Sequence, residues 1–255
     1  MNYPINDPYF RVKVLSKTER PNLLSYLAMH QDYSEGNVAD ELEKLSQLSE
    51  AELGERLVKR CIKFNHWGVI EGCSISFNCI GFPHSVINQA RTHRIGVTWD
   101  VQSMRYTGER IVKLVNDYPP PFFDYDYNEI FKVFYIRPIG NYTDREGKKY
   151  YWSAEDAHKM RLHAFQTAKY YTQLRKQGVS EEHARDALYY GFRQNFVVTF
   201  NARSLLHFCD LRLPNDAQLE IRTLAQMLFE QFSLWMPQVA QWYQKNRYGK
   251  NRLSP

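Results

Sequence analysis

Arg91-Thr92-His93-Arg94-Ile95-Gly96-Val97-Thr98-Trp99-Asp100-Val101-Gln102-Ser103-Met104-Arg105-Tyr106 is the stretch on which the fold turns. It sets guanidinium groups, an imidazole, a glutamine and a serine among apolar residues. An arginine that points inward needs an anionic partner, because breaking a buried ion pair costs about 3–5 kcal/mol. Few carboxylates lie near enough in sequence to serve them all. A second polar stretch, Asn201-Ala202-Arg203-Ser204 followed by His207 and Arg212, poses the same problem. The simplest missing anion is a phosphate-bearing ligand, which a guanidinium fork grips through paired hydrogen bonds.

The elements around these stretches read as an α+β chain. Residues 10–15 predict a short strand, and residues 20–64 predict two or three helices with polar joints. Leu42, Leu45 and Leu48, then Leu53, Leu57, Val58 and Cys61, have helical spacing. Alternation of Ile75, Phe77 and Cys79 predicts a strand over 69–80. A helix is expected from Pro83 to about Arg94, with proline at its first turn, then a loop over 95–106 that re-enters a helix near Gln102. Residues 110–115 and 130–137 predict strands, separated by a loop at Asn116-Asp117-Tyr118-Pro119-Pro120-Pro121 and an aromatic insertion over 116–129. Prolines in such a run exclude regular helix and central strand.

Farther on, Ser153–Lys176 predicts a helix. Ser180 caps another, with two glutamates in its first turn. Residues 192–200 predict a strand, a helix starts near Asn201, and a long helix over about 215–246 kinks at Pro237. The expected architecture is a mixed or antiparallel sheet packed with several helices in one domain spanning residues 1–255. No glycine-rich dinucleotide or P-loop motif appears.

Composition sets outer limits. With 255 residues, 44 % of them apolar, the chain can build a sizeable core. A net charge of +5 is mild, and no dense Lys/Arg tract makes nucleic acid the first expectation. Cys61, Cys73, Cys79 and Cys209 have neither C-x-x-C nor zinc spacing and are expected as buried free thiols, which fits a reducing cytoplasm. No signal peptide or membrane span is visible.

If Asn201 caps a helix, Arg203 and His207 share one face, and Arg212 falls near the helix end. Taken alone, this stretch also fits a helix whose arginines make ordinary surface pairs, for instance with Asp210. Ser103 supplies a hydroxyl, but a nucleophile needs a positioned base, and nothing in the sequence places His93 beside it. A phosphate or base ligand is the simpler role for it.

Arg91-Thr92-His93-Arg94 with Ser103-Met104-Arg105-Tyr106 resembles the signature of the flavin-dependent thymidylate synthases. The block Asn201-Ala202-Arg203-Ser204-Leu205, His207-Phe208, Leu211-Arg212 and Ala217-Gln218-Leu219-Glu220-Ile221-Arg222 is similar to the family's second block in order and spacing. Arg185 lies where the family places another substrate arginine. The resemblance spans roughly residues 65–230. Thr92 disturbs a triplet that is normally contiguous, the spacer from Arg94 to Ser103 is one residue longer than usual, and Gly68 stands where a hydroxyl residue often touches flavin. Whether Arg91 or Thr92 fills the first triplet position is open.

The resemblance implies reductive methylation of deoxyuridine monophosphate (dUMP) to dTMP. Methylenetetrahydrofolate would donate the carbon, NADPH the reducing equivalents, and FAD the hydride. It implies dUMP binding by Gln89, Arg91, Gln102, Ser103, Arg105, Arg185 and Arg212. Arg212 would be the catalytic group that stabilises negative charge on the uracil. It implies flavin binding by Glu71, His93, Arg94, Asn201, Arg203 and His207. It further implies a cytoplasmic homotetramer with active sites shared between subunits, and no metal, nucleic-acid or membrane partner. Two alternatives stay open: a non-enzymatic nucleic-acid binder using the tyrosines for stacking, and a flavoenzyme acting on another nucleotide.

Overall fold

The computed structural model describes residues 4–118, 128–144 and 146–250. Its centre is a four-stranded antiparallel sheet in the order β1-β2-β6-β3, built from β1 (Arg11–Lys17), β2 (Ser74–Pro83), β3 (Val97–Val101) and β6 (Arg193–Asn201). The register pairs Phe77 with Val198 and Cys79 with Phe196. Every second residue of the two central strands is therefore buried on one face, from Ile75, Phe77 and Cys79 to Phe196, Val198 and Phe200. On the other face Ser76 and Thr199 hydroxyls bond across the strands at 2.8 Å.

Helices cover the apolar face. Among them are α1 (Pro21–Tyr33), α2 (Val38–Ser46) and α3 (Glu50–Arg60), which come before β2. The others are α10 (Ala202–Arg212), α11 (Leu219–Trp235) and α12 (Pro237–Asn246), which follow β6. Local chemistry fixes their starts. Ser49 and Glu52 form a reciprocal capping box at α3. Asn201 accepts from Ser204 N at 2.7 Å at α10. Pro237 occupies the first turn of α12, so the expected kink is a break between two helices.

A second apolar cluster is built by α5 (Met104–Thr107), α6 (Glu109–Asp117), α7 (Asn128–Val133), α8 (Ala154–Lys176) and α9 (Glu181–Ala184). A two-stranded hairpin, β4 (Gly140–Thr143) with β5 (Lys149–Trp152), precedes α8 and was not foreseen. Ser153 and Asp156 form the capping box that starts α8.

The α+β expectation holds, and five local ones need correction. Residues 110–115 are helical, because Ile111 and Leu114 bury one face at a three-residue spacing that a short apolar run does not distinguish from a strand. Residues 130–137 begin as helix α7 for the same reason, with Ile130, Val133 and Phe134 buried. Only Phe134 makes a strand-like bridge, to Phe192. The predicted loop at 95–106 contains β3, whose Val97, Trp99 and Val101 alternate with exposed Thr98 and Asp100. The helix after Pro83, α4 (His84–Ala90), ends before Arg91, and β2 begins at Ser74 rather than 69. Most of the proline loop and aromatic insertion lies outside the described residues; Asn116 and Asp117 end α6.

Gly81 sits in a bulge of β2 with φ of 78°, and a Cβ there would strike the Tyr9 carbonyl. All four cysteines are buried and unpaired, as expected. Among the described residues no group of His, Cys, Asp and Glu could hold a metal, and no helix is long and apolar enough to cross a membrane.

Candidate active site

A cleft of about 550 Å³ opens where the start of β3, the turn after α4 and one face of α10 meet. Its wall includes Glu71, Thr92, His93, Arg94, Asn201, Arg203, His207 and Arg212. The whole flavin-assigned set and Arg212 thus converge, although residues 71 and 203 are 132 positions apart. The helical period explains the α10 contribution. Asn201, Ser204, His207 and Leu211 recur on the cleft face while Leu205, Phe208 and Cys209 face the core. Gly96 allows the close fit of β3 against α10: its φ is 65°, and a Cβ would overlap Ser204 Oγ and Asn201 Nδ2. Asn201 N bonds Gly96 O at 2.9 Å across the same joint.

The charges in the cleft are handled unequally. Arg203 pairs with Glu71 at 2.5 Å. Arg212, half-buried at the end of α10, pairs with no carboxylate among the described residues. Its Nε donates to His93 Nε2 at 3.0 Å. Burial, then Arg212 and His207, push the His93 pKa down to about 4, so the ring is neutral at pH 7 and can accept that proton. The expected surface pair with Asp210 does not form. Asp210 is buried on the other side of α10, bonded to Arg247 at 2.7 Å and to Tyr243.

The nucleotide-assigned residues are divided. Gln102 Oε1 accepts from Asn195 N at 3.2 Å, extending the β3–β6 ladder. Ser103 caps α5, its Oγ accepting from Arg105 N; no histidine bonds it. Arg105 Nε meets Glu182 at 2.7 Å, and exposed Arg185 follows one turn later. Five residues of extended chain put Gln102 roughly 16 Å beyond Val97 in the cleft wall. None of these four residues lines the cleft that holds Arg212.

Arg91 follows the last residue of α4, is exposed and does not line this cleft, whereas Thr92 lines it beside His93. Gln89 faces a second cleft of about 820 Å³, with Arg137, Tyr142, Tyr150, Gln218 and Arg222. There Arg137 is held by buried Glu220 at 3.0 Å, and Tyr135 donates to the same carboxylate at 2.9 Å. Sequence reading missed this network, although Glu220 sits inside the quoted second block. Ser204 and Leu211 were also missed as wall residues; the four-residue spacing from His207 to Leu211 was the available signal.

None of the cysteines is poised as a nucleophile. Burial raises all four thiol pKa values, Cys79 and Cys209 well above the ordinary range. Cys209, three residues from Arg212, gains no thiolate character from it.

A family model described as "Thymidylate synthase complementing protein" matches residues 13–238. A flavin-dependent thymidylate synthase of Haloarcula marismortui is 29% identical over 262 residues, covering 96% of this chain and 99% of that protein. One of Halobacterium salinarum is 28% identical, covering 96% and 100%. Among solved structures, a UMP/dUMP methylase of Streptomyces cacaoi bound with 5-Br UMP superposes with a TM-score of 0.68 at 19% identity, over 96% of this chain and 97% of that one. A flavin-dependent thymidylate synthase of Helicobacter pylori complexed with FAD and dUMP gives 0.62 at 19% identity, over 89% and 97%. At these identities the superpositions speak to the fold.

Proposed function

The chain belongs to the thymidylate synthase complementing proteins, the flavin-dependent thymidylate synthases, and from that premise we propose that it methylates dUMP to dTMP with FAD as its cofactor. The observation that carries the reading is the convergence of Glu71, His93, Arg94, Asn201, Arg203, His207 and Arg212 on one cleft. A binder of nucleic acid would spread its cations along a surface; here they meet in a concave site.

The donor set fits a flavin dinucleotide. Arg94, Arg203 and the Asn201 amide offer charged and neutral donors, and the cleft volume lies in the range of small-molecule sites. When bound, the flavin supplies the hydride that completes the methyl group. Asn201, Arg203 and His207 would hold the flavin from the start and one face of α10, with Arg203 paired to Glu71. Arg212, charged and without a carboxylate, stabilises negative charge developing on the uracil as carbon is added at C5. The buried thiols fit a reaction that needs no enzyme nucleophile.

Methylenetetrahydrofolate as carbon donor and NADPH as reductant complete the proposed reaction, in a cytoplasmic setting. Gln89, Arg91, Gln102, Ser103, Arg105 and Arg185 would hold the nucleotide, mainly its phosphate and sugar. Because Ser103, Arg105 and Arg185 do not line the Arg212 cleft, we read the site as completed in a homotetramer, in which a neighbouring copy brings those residues to it. The test is tritium release from C5-labelled dUMP with FAD, NADPH and methylenetetrahydrofolate present, run beside labelled UMP. Release with dTMP formation is expected. Release from UMP alone would move the activity to ribonucleotides, and none from either would remove the reading.

A further inference from the structure

Arg212 has no carboxylate partner among the described residues, yet it is not loose. Its Nε–H points at His93 Nε2 at 3.0 Å, and Nη2 reaches Thr92 Oγ1 at 3.5 Å. Thr92 gives its own hydroxyl proton to the Gln89 carbonyl at 2.8 Å, which leaves its oxygen free to accept. The His93 backbone is pinned in turn, since its carbonyl accepts from Trp99 Nε1 at 3.0 Å. The imidazole edge packs on Phe208, centroids 4.8 Å apart, and on His207 at 6.0 Å.

We propose that His93 is a positioning residue: it fixes the Arg212 guanidinium through a neutral acceptor, so that the arginine is oriented but keeps its whole charge for the substrate. Thr92 is the second support. The proposal rests on the reading of Arg212 as the group that faces the uracil. A carboxylate at the same place would aim the guanidinium equally well, but it would cancel the field that a developing anion should feel. An imidazole accepts the Nε proton and brings no charge. Nη1 and the second Nη2 proton are left for the ligand.

The surroundings keep the ring neutral. The charged and titratable groups around it are Arg212 and His207 from α10, Arg94 next along the chain, and the Arg203–Glu71 pair across the cleft. A second proton on the imidazole would turn the acceptor into a donor and set two cations against each other. The arrangement therefore holds at neutral pH and fails in acid.

Three variants separate positioning from mere packing. His93→Phe and His93→Asn remove an acceptor at the Nε2 position, and His93→Gln restores one. With saturating FAD, kcat should fall about 10–100-fold in the first two, the usual reach of a hydrogen bond to a charged group. The KM for dUMP should stay within about threefold, and His93→Gln should recover most of the loss. The acid limb of kcat against pH should be present in the wild type and absent in His93→Gln. A second readout needs no turnover: the ¹⁵N–¹H resonance of the Arg212 side-chain Nε, assigned by its loss in Arg212→Lys. It should be protected from solvent exchange in the wild type and His93→Gln, and exposed in His93→Phe and His93→Asn. Wild-type kcat in both acceptor-less variants, or an unchanged Nε resonance in them, overturns the proposal. A wild type that methylates no nucleotide while the resonance behaves as described would instead overturn the assigned reaction and leave the Arg212–His93 coupling standing.

Discussion

Two arginines near opposite sides of α10 are treated in opposite ways. Arg247 is buried, its side chain 7% exposed, and a fully buried Asp210 holds it at 2.7 Å with Tyr243 on the same carboxylate. Arg212, two residues along the helix from Asp210, is given an imidazole and a hydroxyl instead. Arg193 follows the first pattern, locked by Asp7 at 2.7 Å and by the Gly81 and Phe131 carbonyls. Where the charge is neutralised it ties chain segments together; where it is left open, it has work to do on something outside the chain.

The sharpest way to break this contrast is to exchange the outcomes. Asp210→Ala strands the Arg247 charge and the Tyr243 hydroxyl in the interior. It should cost about 3–5 kcal/mol of stability, read as a lower urea midpoint, with kcat of the folded fraction unchanged. Arg212→Ala should do the reverse. A kcat loss of about 10²–10³-fold is expected, the usual effect of removing a group that stabilises transition-state charge, with the urea midpoint within about 0.5 kcal/mol of wild type and FAD absorbance retained. A stable Asp210→Ala protein or an active Arg212→Ala enzyme would each erase the distinction.

A smaller effect sharpens it from the second polar group. Arg105 is paired, like Arg247, but on the surface, where such a pair contributes little. If it exists for a phosphate, Arg105→Ala should raise the dUMP KM about 10–100-fold, the loss of a charge-assisted contact. Stability and kcat at saturation should hardly move. Ser103→Ala should act in the same direction and more weakly. A trapped covalent adduct on Ser103 would contradict the binding role. Steady-state kinetics on the purified enzyme decides both.

The elements that were legible in the sequence are those whose signal is local. The helix start at Ser153, the capping asparagine at 201 and the alternation through Ile75, Phe77 and Cys79 each fix an element by short-range chemistry. Ile111-Val112-Lys113-Leu114-Val115 misled because five apolar-rich residues satisfy both periods, and only packing against α8 selects the helix. The site was half legible. Motif spacing named Glu71, His93, Arg94, Asn201, Arg203, His207 and Arg212, which share a cleft. It also named Arg105 and Arg185, which lie outside the walls of that cleft, because a spacing records order along the chain and not which pocket a side chain faces. The His93–Arg212 bond and the Arg137–Glu220 network were invisible for another reason: partners 119 and 83 residues apart leave no local pattern.

The smallest effect concerns pH and stability. His93 has a folded pKa of about 4 against an ordinary value of 6.5. Between those values the unfolded chain binds a proton that the folded one refuses, so stability falls as pH drops from 6.5 towards 4 and levels off below. Above 6.5 both states are neutral there and the contribution is fully present. The ring is partly open to solvent, which screens the effect to under about 1 kcal/mol. His93→Gln, with nothing to titrate, should therefore lose less stability than wild type between pH 7 and pH 4.5, measured by urea midpoints at each pH. Equal losses would mean that Arg212 and its neighbours place no strain on the imidazolium, and the neutral support of an uncompensated arginine would have no energetic signature.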